Sequence, residues 1–395
     1  MQKEVAPQTP PRPSLATGAA RMNRIQTRGR PAMSKMKKKP IDLGAGLVLQ
    51  LPLAVGTLQW GTTWVDDAII NSKGCISEAE AEAIVSHFRQ EGVSLFDTAE
   101  GYGGGTSEKR LGRCIVASDD ASGGKLPQAL QMTKFLPVPW RFGHASFERA
   151  LRESNKRMNI DCCPIYLLHS PVHWRPIEHW VESAAMCKKK GLLNALGLSN
   201  CNADQCRRAF EAGQKFGVPV IINQVHFSLL DYNSNALQEM VSVCKKCGIT
   251  IIAYSPIGQG LLTDGLNEET CRRNKPARMF RLKYDDMQPL RTCIRTIADK
   301  HQASMAQVAI NWCASHGTVP LVGCRSLKQA RDTLGVLSFD LSEEDIAELD
   351  GLALDRSTLE SPGWRRAIFV SLAGFIMTVC KGLDWIGYGR IEQAR

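Results

Sequence analysis

From about residue 55 to residue 334, short and almost uninterrupted apolar runs alternate with segments in which apolar residues recur every three or four positions. The runs at 55–60, 94–98, 129–133, 164–168, 195–198, 220–225, 250–254 and 319–322 predict eight strands. Amphipathic spacing predicts helices over 77–90, 107–117, from 146, and over 176–190, 204–216, 237–247, 290–300, 305–316 and 327–334. Ser77 stands three positions before Glu80, the spacing of a capping box, and opens the first of them. A strand that is apolar at nearly every position is buried on both faces, which suits a parallel sheet covered by helices. Eight such repeats predict an α/β fold, a (β/α)8 TIM barrel, with an open doubly wound sheet as the alternative.

Three stretches break the rhythm. Residues 264–288 are polar and irregular and read as a loop insertion. Residues 1–40 carry ten Lys or Arg against Glu4 alone and show no apolar period, which predicts a disordered basic extension. Such a segment serves either as a transit peptide or as an untargeted tail. Beyond residue 352, Trp364, Arg365 and Arg366 precede fourteen uncharged residues at 367–380, followed by Lys381, Asp384, Trp385 and Tyr388. Fourteen residues make a helix of ~21 Å, short of the ~30 Å hydrocarbon core, so the run does not span a bilayer by itself. It either packs on protein or makes membrane contact through residues 364–388, with its aromatic ends at the interface. The expected domains are therefore 1–40, the barrel at 41–355, and a C-terminal extension at 356–395 with an apolar helix.

The net charge of +10 comes almost wholly from the first 40 residues. The rest of the chain is nearly neutral, so no nucleic-acid partner is expected. The 14 cysteines lack the clustered spacing of a disulfide framework. That spread predicts reduced thiols in a reducing compartment, the cytoplasm or, if residues 1–40 are a transit peptide, the plastid stroma, with peripheral membrane association if the C-terminal segment binds lipid. Cys162-Cys163 and the Cys244-x-x-Cys247 pair have no second pair at zinc spacing, and no metal site is predicted.

Chemistry concentrates at predicted strand ends. Asp97 ends the second run, with Tyr102 five positions later; Lys134 follows the third and His169 the fourth. In a closed parallel barrel these ends converge on one face, where a pocket is expected. Trp60, Trp64, Trp140, His173 and Trp174 fall in strand-end loops and are candidates to line it, which would suit bulky or planar ligands. They include no basic cluster of the kind a phosphorylated or carboxylate substrate would need.

The run from Asp97 to Gly112, DTAEGYGGGTSEKRLG, together with Gly197-Leu198-Ser199-Asn200, resembles the motifs of the aldo-keto reductase family. So do Asn223-Gln224-Val225 with Phe227-Ser228-Leu229-Leu230, and the stretch from Ala253 to Gly260, AYSPIGQG. The resemblance covers residues 53–350; Pro139-Trp140-Arg141 and Gly323-Cys324-Arg325-Ser326 are closest to its plant and algal plastid branch. It implies an NADPH-dependent reductase acting on an aldehyde or ketone, a small-molecule carbonyl partner, and NADP(H) as cofactor. Tyr102 would be the general acid, with Asp97, Lys134 and His169 completing the catalytic set. Lys134, held cationic by Asp97, would favour the Tyr102 phenolate, and His169 would orient the carbonyl.

Ser199, Asn200 and Gln224 would bind the nicotinamide amide, and Tyr254 would stack on the ring. Ser255, Pro256, Gly258, Gly260 and Leu261 would follow the pyrophosphate. Gly323, Arg325, Ser326 and Gln329 would receive the adenosine 2'-phosphate. Thr333 stands where the family pattern has an adenine-binding Asn. The superfamily also contains regulatory subunits of membrane proteins, the potassium-channel beta subunits, which gives the alternative reading of an NADP(H)-binding regulatory partner.

Overall fold

A computed structural model describes residues 39–61, 75–274, 277 and 282–355. The described chain enters through an antiparallel hairpin, β1 (Ile41–Gly44) and β2 (Leu47–Leu49). Eight parallel strands then close into a barrel. They are β3 (Ala54–Gly56), β4 (Leu95–Asp97), β5 (Leu130–Phe135), β6 (Cys163–Leu168), β7 (Leu193–Ser199), β8 (Val220–His226), β9 (Thr250–Tyr254) and β10 (Val319–Gly323). β10 seals the ring by pairing with β3, Leu321 opposite Ala54, as well as with β9.

Around the strands run α1 (Glu78–Gln90), α2 (Thr106–Ser122), α3 (His144–Met158), α4 (Ile177–Lys189), α5 (Ala203–Phe216) and α6 (Asn235–Lys246). The short α7 (Glu268–Arg273) lies in the insertion, and α8 (Gln288–His301), α9 (Met305–Ser315), α10 (Leu327–Leu334) and α11 (Glu343–Leu352) complete the described chain.

The pattern of apolar runs follows from this closure. Strand residues facing inward, such as Leu95, Met132, Ile165, Leu167, Ile222 and Ile252, fill the barrel, while Phe96, Phe135, Tyr166 and Leu168 pack outward against helices. Both faces are dry, so alternation disappears. Helix starts are set by side chains: Ser77 Oγ accepts from Glu80 N, and reciprocal boxes join Asn202 to Gln205, Ser304 to Gln307 and Ser342 to Asp345.

Several boundaries differ from the sequence expectation. The run at 55–60 is a three-residue strand followed by a 3₁₀ turn, Leu58–Trp60, because Thr57 gives both its amide and its hydroxyl to the Asp97 carbonyl, each at 2.9 Å. Trp60 is consequently buried with no exposed surface, its indole Nε1 donating to Cys324 O at 2.9 Å. The third strand extends to Phe135 and takes in Lys134. The second helix runs on to Ser122, where Gly123 at φ 60° ends it. The insertion is not wholly loop, since it holds α7 and a 3₁₀ turn at Asp285–Met287. The hairpin and α11 were not expected from the apolar pattern. Trp64 and the segment 364–388 lie outside the described residues. Among the described residues no helix is long and apolar enough to cross a membrane.

Candidate active site

The C-terminal ends of β4, β5 and β6 bring Asp97, Lys134 and His169 together. Lys134 is fully buried, and its Nζ donates to Asp97 Oδ2 at 2.7 Å, Thr98 O at 2.8 Å and Tyr102 Oη at 3.2 Å. All three ammonium protons thus have acceptors. Burial alone would lower the Lys134 pKa, but Asp97 and the Tyr102 oxygen outweigh it and hold the ammonium above the ordinary lysine value. The second Asp97 oxygen accepts from Gln224 Nε2 at 2.9 Å. His169 meets Tyr102 edge to face, with ring centroids 5.9 Å apart, and its buried Nδ1 has no hydrogen-bond partner. Burial, helped by the Lys134 charge, pushes the His169 imidazole down to about 3, so the ring is neutral near pH 7.

Tyr102 reaches this group from a 3₁₀ turn, Tyr102–Gly105, in which Gly103, Gly104 and Gly105 have φ of 58°, 63° and 96°. A Cβ on Gly103 would fall 1.3 Å from the Gly61 carbonyl oxygen, so the turn that delivers the phenol needs glycine there. Ser107 follows at the start of α2, its Oγ donating to Thr57 O at 2.9 Å and accepting from Thr98 Oγ1 at 3.0 Å.

Two buried acids that sequence reasoning quoted only as members of a motif brace the same face. Glu100 takes the Leu136 amide at 2.8 Å and both Arg141 guanidinium arms, at 2.5 and 3.1 Å, which pins the loop after β5 to the loop after β4. Burial opposes the Arg141 charge, yet Glu100 raises its pKa above the ordinary arginine value. Glu108 accepts from Thr133 Oγ1 at 2.6 Å and Arg157 Nε at 2.5 Å, tying β5 to α2 and α3. The motif showed both acids; it did not show their partners.

On the neighbouring strand ends, Ser199 closes β7 and Asn200 follows with φ 59°. Asn200 Nδ2 donates to Ser199 Oγ at 3.0 Å and His169 O at 3.3 Å, and its Oδ1 accepts from Tyr254 Oη at 2.9 Å. Gln224 lies beside them on β8 but donates to Asp97, so it touches the tetrad directly. After β9, Ser255, Gly258, Gln259 and Gly260 all have positive φ, at 55°, 57°, 55° and 96°. In this loop Pro256 and Leu261 are buried, Ser255 is half-buried and Gln259 is exposed. Beneath it, Arg291 donates to the carbonyls of Leu261, Thr263 and Leu266.

At the far end, Gly323 is exposed and Ser326 caps α10 by accepting from Gln329 N. Gln329 Oε1 accepts from Arg325 N at 2.7 Å, and Glu80 Oε1 from Leu327 N at 2.6 Å. Part of the Ser326 and Gln329 hydrogen-bonding capacity is thus committed to the turn. A separate cavity of about 510 Å³, lined by Asp42, Gly44, Phe210, Pro219 and Cys247 among others, lies at the opposite end of the barrel and holds none of these groups.

The profile of the Aldo/keto reductase family matches residues 52–354. The chain belongs to that family. This aldo-keto reductase is 33% identical over 323 residues to the chloroplastic pyridoxal reductase of Arabidopsis thaliana, covering 80% of this chain and 85% of that protein. It is 27% identical to an NADP(+)-designated aldo-keto reductase of Schizosaccharomyces pombe, covering 70% and 83% of the two chains. Among solved structures, the Bombyx mori aldo-keto reductase in complex with NADP superposes with a TM-score of 0.61 at 20% identity, covering 82% of this chain and 96% of that one. A thermostable aldo-keto reductase bound to epalrestat gives 0.59 at 23% identity, covering 80% and 100%. Family membership makes the chain an oxidoreductase, and NADP(H) is the cofactor that it implies. The residues present fit such a nucleotide: amide and hydroxyl groups stand beside the tetrad, and a loop of left-handed backbone leads away from them. An arginine at a helix N-terminus stands beyond.

Proposed function

We propose that this aldo-keto reductase reduces planar aromatic aldehydes, with pyridoxal the first candidate, using NADPH and taking the proton from Tyr102. The reading rests above all on the Lys134 ammonium held between Asp97 and Tyr102 Oη. A cation at 3.2 Å favours the phenolate over the phenol, which makes Tyr102 Oη a better acid. NADPH, when bound, supplies the hydride that adds to the carbonyl carbon. Tyr102 Oη gives its proton to the carbonyl oxygen, and the neutral His169 ring, edge-on to Tyr102, orients that oxygen. Asp97 keeps Lys134 charged while Gln224 holds the second Asp97 oxygen in place. Ser199, Asn200 and Tyr254 fix the nicotinamide side, the 255–261 loop takes the pyrophosphate, and Arg325 takes the 2'-phosphate with Ser326 and Gln329 beside it.

The substrate class comes from the rim and from the Arabidopsis relative's name. Trp140, Phe142 and Trp174 are 40%, 55% and 56% exposed on the loops after β5 and β6, a surface suited to a flat ring. Arg141 is committed to Glu100, so that loop offers an unphosphorylated aldehyde no competing charge partner. We place the reaction in a reducing compartment, plastid stroma or cytoplasm, where the free thiols of the described residues persist.

Tyr102→Phe should lower turnover at least ~100-fold, the scale of a lost general acid, while leaving NADPH binding by fluorescence titration unchanged. Near-normal turnover would remove Tyr102 from the role. Pyridoxal should give a higher kcat/KM than aliphatic aldehydes; the reverse order would remove the aromatic class.

A further inference from the structure

A second cluster of ligating side chains lies outside the tetrad, where α3 and α4 leave the two rim loops. His144 is the first residue of α3, and His179 and Glu182 stand one turn apart on α4. One ligating atom from each falls within 4.8 Å of the others. The two imidazoles stack with centroids 4.3 Å apart and planes 29° from parallel, and Glu182 Oε2 lies 3.8 Å from His144 Nε2.

The proton positions follow from Ser183. Its hydroxyl has one proton, which goes to the His179 carbonyl at 2.8 Å. The 2.8 Å contact between Ser183 Oγ and His144 Nδ1 therefore has Nδ1–H as the donor. On a neutral ring, that leaves His144 Nε2 with a lone pair, 3.8 Å from a carboxylate oxygen. His179 Nε2 is buried without a hydrogen-bond partner. One imidazole lone pair, a nitrogen of a second imidazole and a carboxylate oxygen, all within 4.8 Å of one another, form an arrangement that a cation completes. A carbonyl-anchored hydroxyl fixing the tautomer of one imidazole is the outer support that metal-binding histidines use.

We propose that His144, His179 and Glu182 form a divalent transition-metal site of the zinc type, with a fourth position open to water. A tetrahedral zinc ion wants its ligand atoms about 3.4 Å apart, so closure needs side-chain movements of about 1 Å. His144 and Glu182 are partly exposed and can make them. The ion clasps α3 to α4 at the base of both rim loops. From there His179 touches Trp180, Trp180 touches His173, and His173 stacks on Trp174, whose indole donates to Pro139 O. The two loops would then be held together by a metal as well as by that contact. Helical placement on separate elements hides this set from any reading of linear spacing.

The test uses the untagged full chain, stripped with EDTA and dialysed, with Zn²⁺ and Co²⁺ as probes. One equivalent of Zn²⁺ should bind saturably in equilibrium dialysis and raise Tm. Co²⁺ should give visible d–d absorption without a thiolate charge-transfer band. His179→Ala and Glu182→Gln should each weaken Zn²⁺ binding at least ~10-fold, and Ser183→Ala by ~10-fold through the lost support, with unchanged circular dichroism. Absence of saturable binding at micromolar Zn²⁺ overturns the site, as does a thiolate band in the Co²⁺ spectrum. Undiminished binding in both His179→Ala and Glu182→Gln overturns it equally.

Discussion

The His169 ring shows how burial sets the protonation of a side chain. Its pKa is held near 3 against an ordinary 6.5, so the folded chain refuses a proton that the unfolded chain accepts. Its stability contribution is therefore complete above about pH 6.5 and is lost as the pH falls from there towards 3. In the proposed reaction the counterpart is a ring that stays neutral from about pH 8 to about pH 5. Over that range kcat/KM should show no acid limb from His169, and its ring resonances should not move in NMR; a midpoint near 6.5 would contradict the buried assignment. Arg325 supplies a second test at this scale. Arg325→Ala should weaken NADPH by about tenfold or more, the value of a charge-assisted pair, and leave NADH unaffected. Equal loss for both nucleotides would show that the guanidinium does not read the 2'-phosphate. That Asp97, Tyr102, Lys134 and His169 meet was legible because four titratable side chains fall at consecutive strand ends. The Gln224 contact to Asp97 and the Glu100–Arg141 pair were not, because each joins segments that only the closed barrel brings together. Trp60 misled for the same reason: its fate is set by Thr57 bonding to Asp97 on the next strand.

Elements whose ends carry chemistry in one short segment were read well. Ser77 opens α1 as expected, and the predicted ranges of β9 and α10 match the structure to the residue. Elements that owe their limits to neighbours were read poorly. β3 stops after three residues, and the hairpin strands are too short to show a period. The Gly103–Gly105 turn is the element on which Tyr102 depends, and its glycines are not equivalent. Gly104 has φ 63° with open space around a Cβ, whereas the same atom on Gly103 meets the Gly61 carbonyl. Gly104→Ala should therefore cost about 1–2 kcal/mol, the strain of a left-handed L-residue, with turnover largely kept. Gly103→Ala must shift the turn itself, so it should lower both the denaturant midpoint and kcat well beyond that. Similar effects from the two substitutions would mean that the turn has slack where the structure shows contact.

Across the whole molecule, the two ends of the barrel do separate jobs. The C-terminal ends of the strands hold charged and polar groups whose desolvation opposes folding, while the N-terminal end is closed by an apolar plug. Leu43, Leu47 and Leu49 of the hairpin are 2%, 9% and 1% exposed and pack with Ala54, Leu95, Leu130 and Val319 of the barrel interior. Each buried leucine contributes roughly 1.5–3 kcal/mol from area alone, and truncating one adds the cost of the cavity left behind. Leu49→Ala should accordingly cost about 2–5 kcal/mol in urea unfolding. The site lies at the other end of the strands, beyond a packed interior. Sites so separated add their effects, so kcat and NADPH affinity should stay at parent values below the unfolding transition. Combining Leu49→Ala with Tyr102→Phe should then give the stability of the first and the turnover of the second. A fall in kcat for Leu49→Ala alone, measured where the variant is fully folded, would show that the plug also sets the strand ends, and that the barrel transmits strain along its axis.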